Sequence, residues 1–256
     1  MTLHRRPASR YFLSLINMDK AILSVNGATK SFGGLVALDK ITFDVKKGEV
    51  VGLMGPNGAG KTTLLNVIAG EYAPDEGEII FKGHRITGLP PHKLCHLGIA
   101  RTYQIPQPFV TLTVREHLLA SAVFGRRIKM REAAAPDDHF CDLTGLTEKK
   151  DIIAGSLPIL SLKRLELARA LASRPDLLLL DEIATGSNEA EIPKMLAVIN
   201  EIRKMGITVI IIEHIMKVLM GAVDRVIVMD KGIKIAEGRP ASIMCDNRVI
   251  EAYFGA

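Results

Sequence analysis

The chain has 256 residues, 48% of them hydrophobic and 24% charged, enough for one globular domain with a large core and at most a small subdomain. A formal net charge of +5 from scattered lysines and arginines gives only weak support for a nucleic-acid partner and fits a solvated basic surface better. Three cysteines far apart, Cys95, Cys141 and Cys245, argue against a zinc or disulfide framework, and no apolar run approaches the roughly 18 residues of a membrane-spanning helix.

In chain order, residues 1–17 carry an arginine pair and a short apolar patch, Tyr11 to Ile16, interrupted by Ser14. Without a small-residue cleavage site they read as a disordered leader, ahead of a second methionine at Met18. Ile22 and Val25, then Ile41, Phe43 and Val45, alternate with polar residues and predict antiparallel strands. Between them lies TKSFGGLVALD, in which Phe32 precedes a glycine pair. Lys46 to Glu49 make a turn, and Val50, Val51, Leu53 and Met54 predict a strand buried on both faces.

That strand runs into GPNGAGKT, residues 55–62, which fits G-x-x-x-x-G-K-[ST] at every fixed position and opens a helix. Gly55, Gly58 and Gly60 let backbone N–H groups turn inward around a phosphate, at a helix N-terminus that already favours an anion. Pro56, Asn57, Ala59 and Thr63 complete the cradle; Lys61 supplies the cation for the β- and γ-phosphates, and the Thr62 hydroxyl is placed to ligate Mg²⁺. A ligand-free glycine-rich turn is the bland alternative. Strand, loop, Lys-Thr and helix in this order favour a nucleoside triphosphate with Mg²⁺.

Further on, Glu78–Phe81 predicts a strand, Pro90–Leu97 a short helix, and Ile99–Tyr103 a buried strand ending at Gln104. Thr113 to Glu116 form a capping box for a helix containing Leu118, Leu119 and Val123, and residues 125–155 read as a small helical insertion around Phe140 to Leu143. Leu165–Ala172 predicts a helix. Leu177–Leu180 is a buried strand running into Asp181 and Glu182, the place where parallel α/β sheets meet their ligands. A helix over Ile192–Met205, a strand over Thr208–Ile212 ending in Glu213-His214, a hairpin of Val226–Met229 with Ile233–Ala236, and a helix over Val249–Tyr253 close the chain. The pattern is α/β with an antiparallel β subdomain.

The ordered set of Phe32, the phosphate loop, Gln104, LELARAL, LLLLDE and IIEH resembles the ATP-binding subunit of an ABC transporter from about Ala21 onward. FGGLVALDKITF, GIARTYQ, IIEHIMKVLM, IAEGRP and VIEAYFG are similar to phrases of the branched-chain amino-acid importer group. The resemblance implies a P-loop ABC cassette over residues 18–256: a RecA-like, mostly parallel sheet, an antiparallel β subdomain and a small helical subdomain at about residues 108–174. It implies that Phe32 stacks on adenine, Gln104 contacts Mg²⁺ and the attacking water, Asp181 holds Mg²⁺, Glu182 is the general base and His214 sits near the γ-phosphate. It further implies ATP hydrolysis driving amino-acid uptake through two permease subunits at the cytoplasmic face of the inner membrane. A solute-binding protein takes part indirectly, and nucleic acid does not.

Two departures stand out. The family's L-S-[GY]-G-Q signature lines up with Leu157-Pro158-Ile159-Leu160-Ser161, so a proline without an N–H and a bulky leucine replace the serine and glycine. In DEIATGSN, Ile183 and Ser187 stand where the family has proline and leucine. Both fall on surfaces that act on a partner's nucleotide, which favours pairing with a second, different ATPase and leaves open a nucleotide-responsive subunit with little hydrolysis. An ABC ATPase acting on DNA or ribosomes fits less well, lacking coiled-coil insertions or tandem cassettes, and a P-loop kinase leaves LELARAL and IIEH unexplained. After Gln104, the apolar, restricted stretch Ile105 to Phe109 is a candidate contact for a permease helix.

Overall fold

The computed structural model describes residues 21–125, 138–183, 189 and 191–254. The leader, residues 126–137 of the helical insertion and Ser187 lie outside them. Two sheets organise the described chain. The first is antiparallel, in the order β2-β1-β4-β5, from β1 (Ala21–Phe32), β2 (Leu35–Lys46), β4 (Glu76–Phe81) and β5 (His84–Arg85). The second has six strands in the order β10-β9-β3-β8-β7-β6: β10 (Ile233–Gly238), β9 (Arg225–Asp230), β3 (Val50–Met54), β8 (Thr208–Ile212), β7 (Leu177–Asp181) and β6 (Ile99–Arg101). All its neighbours pair parallel except the β9–β10 hairpin.

Every residue of β3, β7 and β8 is buried, because both faces of this sheet are covered. Alternate residues belong to different cores. Leu178, Leu180, Val209 and Ile211 pack with α5 (Ile159–Ala172), α6 (Ile192–Lys204) and α7 (Met216–Ala222). Leu177, Leu179, Ile210 and Ile212 pack with α1 (Lys61–Ile68) and the antiparallel sheet, whose Asp39 N–H donates to the Gly232 carbonyl at 2.8 Å. The remaining helices are α2 (Pro91–Leu97), α3 (Val114–Gly125), α4 (Asp138–Thr144), α8 (Pro240–Ile243) and α9 (Asn247–Phe254).

Three elements differ from the sequence expectation. TKSFGGLVALD is no separate connector; it extends β1 and β2 to 12 residues each, meeting at a tight turn beside Phe32. The strand expected over Ile99–Tyr103 stops at Arg101, since Thr102 N–H makes the last ladder bond, to Leu179 O. Helix α5 starts six residues before Leu165, at Ile159, on the carbonyl of Pro158. The capping box forms as expected: Glu116 Oε2 accepts the Thr113 N–H at 2.7 Å, and Thr113 Oγ1 accepts the Glu116 N–H at 3.2 Å.

A candidate nucleotide site at four strand ends

Strands β3, β8, β7 and β6 lie side by side with their C-terminal ends on one edge. Leu53 and Asp181 both pair with Ile212, so the residues just beyond emerge at one level. Register alone therefore gathers the phosphate loop, Asp181-Glu182 and Glu213-His214, with Gln104 arriving from the end of β6.

The loop after β3 needs glycine at two points. Gly55 has φ 146°, and a Cβ there would lie 2.0 Å from Met229 O; Gly60 has φ 95°, and its Cβ would lie 2.4 Å from Ala37 O. Gly58, with φ 81°, has open space around it, as close backbone approach to a ligand requires. Between them the Ala59 N–H donates to Pro56 O at 3.2 Å. Asn57 sits at the turn, and Thr62 and Thr63 occupy the first turn of α1. Lys61 is buried, its Nζ donating to Gly55 O at 2.7 Å and Pro56 O at 2.9 Å. Burial lowers its pKa, and the nearby Glu182 and Asp181 carboxylates oppose that shift.

Glu182 is held from both sides. Gln104 Nε2 donates to its Oε2 at 2.9 Å, and His214 Nε2 lies 2.8 Å from its Oε1. The backbone beneath is left-handed, φ 50°, while the Glu182 N–H donates to Ile212 O at 3.0 Å. A non-glycine residue held there stores about 1–3 kcal/mol, and such positions cluster where geometry serves function.

Asp181 differs from its neighbour. Its Oδ2 lies 3.9 Å from the Arg101 guanidinium, whereas its buried Oδ1 has no hydrogen-bond partner. Burial raises its pKa, and Arg101 partly counters this. An orphaned, buried carboxylate oxygen suits a hard divalent cation; Asp181, Gln104 and Thr62 are the residues whose oxygens could hold one.

Phe32 is placed separately, at the tip of the β1–β2 hairpin. It is 42% exposed, with its ring edge-on to Tyr72 at 5.1 Å and the Lys30 ammonium 5.5 Å from its centre. An accessible aromatic pair is a surface on which a planar base can stack. Ile105 and Phe109 are 73% and 61% exposed, and the Phe109 ring lies beside His117 and the Arg169 guanidinium.

The start of α5 carries the five aligned signature residues. Pro158 caps the helix without a side-chain hydrogen bond, and Ile159 is 60% exposed. Leu160 lines a groove of about 490 Å³ with Leu167, Ile183, Met195 and Val198. Ser161 is buried, its hydroxyl accepting from Lys149 Nζ at 2.7 Å.

Two contributors escaped the sequence reading. Arg101 Nη1 donates to Asn66 Oδ1 at 2.6 Å, tying α1 to the Asp181 side of the site, and its guanidinium stacks 4.4 Å from the Tyr103 ring centre. Tyr103 in turn donates to Glu71 Oε1 at 2.8 Å, and burial together with that carboxylate lifts its pKa to about 12. A charged residue inside a predicted buried strand was the available signal. The other is Tyr253, whose hydroxyl accepts the Gly55 N–H at 2.8 Å across 198 residues of sequence. Nothing local marks it.

The ABC transporter family model matches residues 38–185, and a model for branched-chain amino acid ATP-binding cassette transporters matches residues 234–256. Among curated relatives, a probable branched-chain amino acid transport ATP-binding protein LivG from Archaeoglobus fulgidus is 37% identical, over 92% of this chain and 96% of its own length. The high-affinity branched-chain amino acid transport ATP-binding protein BraF from Pseudomonas aeruginosa is 38% identical, over 93% and 99%. The fold is similar to a nucleotide-free ATP-binding cassette from an ABC transporter, with a TM-score of 0.80 and 32% identity over 92% of this chain and 100% of that one. An ADP conformation of an ABC transporter cassette gives the same TM-score and identity, over 92% and 99%.

Proposed function

Because the chain belongs to the ATP-binding subunits of ABC transporters, in the branched-chain amino-acid group, we propose that its four strand-end loops hydrolyse ATP to power amino-acid uptake through separate permease subunits. The observation that carries this reading is the Glu182 carboxylate, fixed between Gln104 and His214 one residue from the orphaned oxygen of Asp181.

Each group has a task. Lys61, now resting on two loop carbonyls, turns to the β- and γ-phosphates while the loop N–H groups surround them. Glu182 accepts the proton of the attacking water, which Gln104 and His214 keep in line by holding both carboxylate oxygens; such a base is worth roughly 10²–10⁴ in rate. Mg²⁺, when bound by Asp181, Gln104 and Thr62, supplies charge screening for the phosphates. Phe32 stacks on the adenine. ABC ATP-binding subunits are peripheral to the membrane, and we place this one at the cytoplasmic face of the inner membrane, with the exposed stretch from Ile105 to Phe109 against a permease.

The start of α5 extends the reading. ATP sites of this family form between two chains, each adding its signature to the other's phosphate loop. With Pro158 and Leu160 in that position, two copies of this chain would make two impaired sites. Pairing with a sister ATPase leaves one complete, on this chain's Lys61 and Glu182. A low-activity, nucleotide-responsive subunit is the second reading, and Pro158 is the observation favouring it.

The test is a base-to-glutamine change made separately in each subunit of the purified complex. Glu182→Gln should keep ATP binding and lower turnover roughly 10²–10⁴-fold, while the same change in the sister does little. Wild-type turnover in Glu182→Gln would place the base elsewhere, and equal losses from the two changes would refute the asymmetry.

A further inference from the structure

We propose that helix α9 (Asn247–Phe254) is a working part of the nucleotide site, with Tyr253 as the positioning residue for the first peptide of the phosphate loop. This rests on the reading of residues 55–63 as the phosphate cradle.

The ladder between β3 and its neighbours ends at Met54, which pairs with Val228. The next N–H, that of Gly55, lies past the sheet, and the Tyr253 hydroxyl accepts it at 2.8 Å. Gly55 lacks a Cβ, and its backbone is in a region open to glycine alone, so no side chain of its own restricts rotation there. The hydrogen bond to Tyr253, with the close approach of the Met229 carbonyl, orients the peptide leading into it. The carbonyl of the same residue accepts the Lys61 ammonium at 2.7 Å. One glycine thus joins two tethers on the peptides to either side of it: its N–H is held by Tyr253 and its carbonyl by Lys61.

The tether is anchored. Val249 of α9 is buried in the core shared by α5, α6 and α7. Tyr253 therefore arrives on a docked helix. Burial raises the pKa of its phenol, which keeps the hydroxyl neutral, and the Gly55 N–H partly counters that rise. The tie also bridges the two family matches, linking a segment of 234–256 to the loop at the centre of 38–185. A loop held in its binding geometry before ligand arrives loses less freedom on binding, so the hydroxyl contributes to affinity without touching nucleotide.

The experiment uses the purified full chain, a fluorescent ATP analogue and its ADP counterpart. Tyr253→Phe removes one oxygen and should raise Kd for both nucleotides roughly two- to tenfold, the range of one net hydrogen bond. Unchanged affinity in the folded variant would overturn the proposal. Lys61→Ala in the same assay separates the two readings: if it too is silent, the loop assignment fails; if only Tyr253→Phe is silent, this inference alone fails. Amide exchange at Gly55 gives a measurement needing no variant, since protection is expected in the wild-type chain and an unprotected amide would sink the tether.

Discussion

The strand-end edge of the six-stranded sheet and the start of α5 are the two places where this cassette is expected to meet a nucleotide, and they are built on different terms. At the first, side-chain positions follow from strand register. β3, β7 and β8 are buried at every residue, and a slip of one residue would exchange their two core faces. Lys61, Asp181 and Glu182 are therefore fixed by the same contacts that hold the core. At the second, the helix is fixed further along, by Leu165, Leu167, Ala168 and Leu171. Residues 158–160 add little to that packing: Pro158 suits a helix start, Ile159 faces solvent and Leu160 lies in a groove. A helix start can thus lose its ligand-binding chemistry and keep its shape, whereas a strand-end site cannot shift without disturbing the core.

Predictions follow that difference downward in size. The largest effect belongs to Lys61→Ala, which removes the buried cation from the strand-end site. Nucleotide affinity should fall roughly 10²-fold or more, the cost of truncating a buried charged partner, as read by fluorescent nucleotide titration. Unchanged affinity would break the comparison at its stronger side.

Restoring Ser and Gly at 158 and 160 (Pro158→Ser with Leu160→Gly) probes the weaker side. In a complex with a competent sister ATPase turnover should rise about twofold, as a second site becomes usable; a rise of ~10²–10³ would mean that this chain pairs with itself. Phosphate release by the purified complex distinguishes these.

The smallest effect sharpens the separation of fold from site. Thr113→Ala deletes the capping box of α3 and should cost about 1 kcal/mol, seen as a drop of roughly 2–4 °C in melting midpoint, with nucleotide affinity unchanged. A change in affinity would show that the helical part feeds directly into the site.

How much of this was legible follows from locality. The phosphate loop, Asp181-Glu182 and His214 each end a short apolar run, so strand, loop and chemistry could be read within ten residues of one another. The two strands at the start were legible, but their extension through TKSFGGLVALD was hidden because register irregularities between Val25 and Ala28, and again near Lys30, interrupt the alternation that marks a strand. The first turns of α5 were hidden by Pro158 and by an exposed Ile159 where a core residue is expected. Arg101 and Tyr253 act on residues 35 and 198 positions away, and no periodicity reports a contact of that kind.

The central position of β3 has a consequence for the order in which the molecule is made. Its neighbours on either side, β8 and β9, are translated more than 150 residues after it, and the hydroxyl that receives the Gly55 N–H comes 198 residues after that glycine. At about 5–20 residues per second, a ribosome finishes the phosphate-loop sequence roughly 10–40 s before it supplies Tyr253. For most of that interval the glycine-rich loop has neither the neighbouring strands of β3 nor its tether. The phosphate loop with its Gly55 N–H held therefore exists only in chains whose synthesis has passed residue 253.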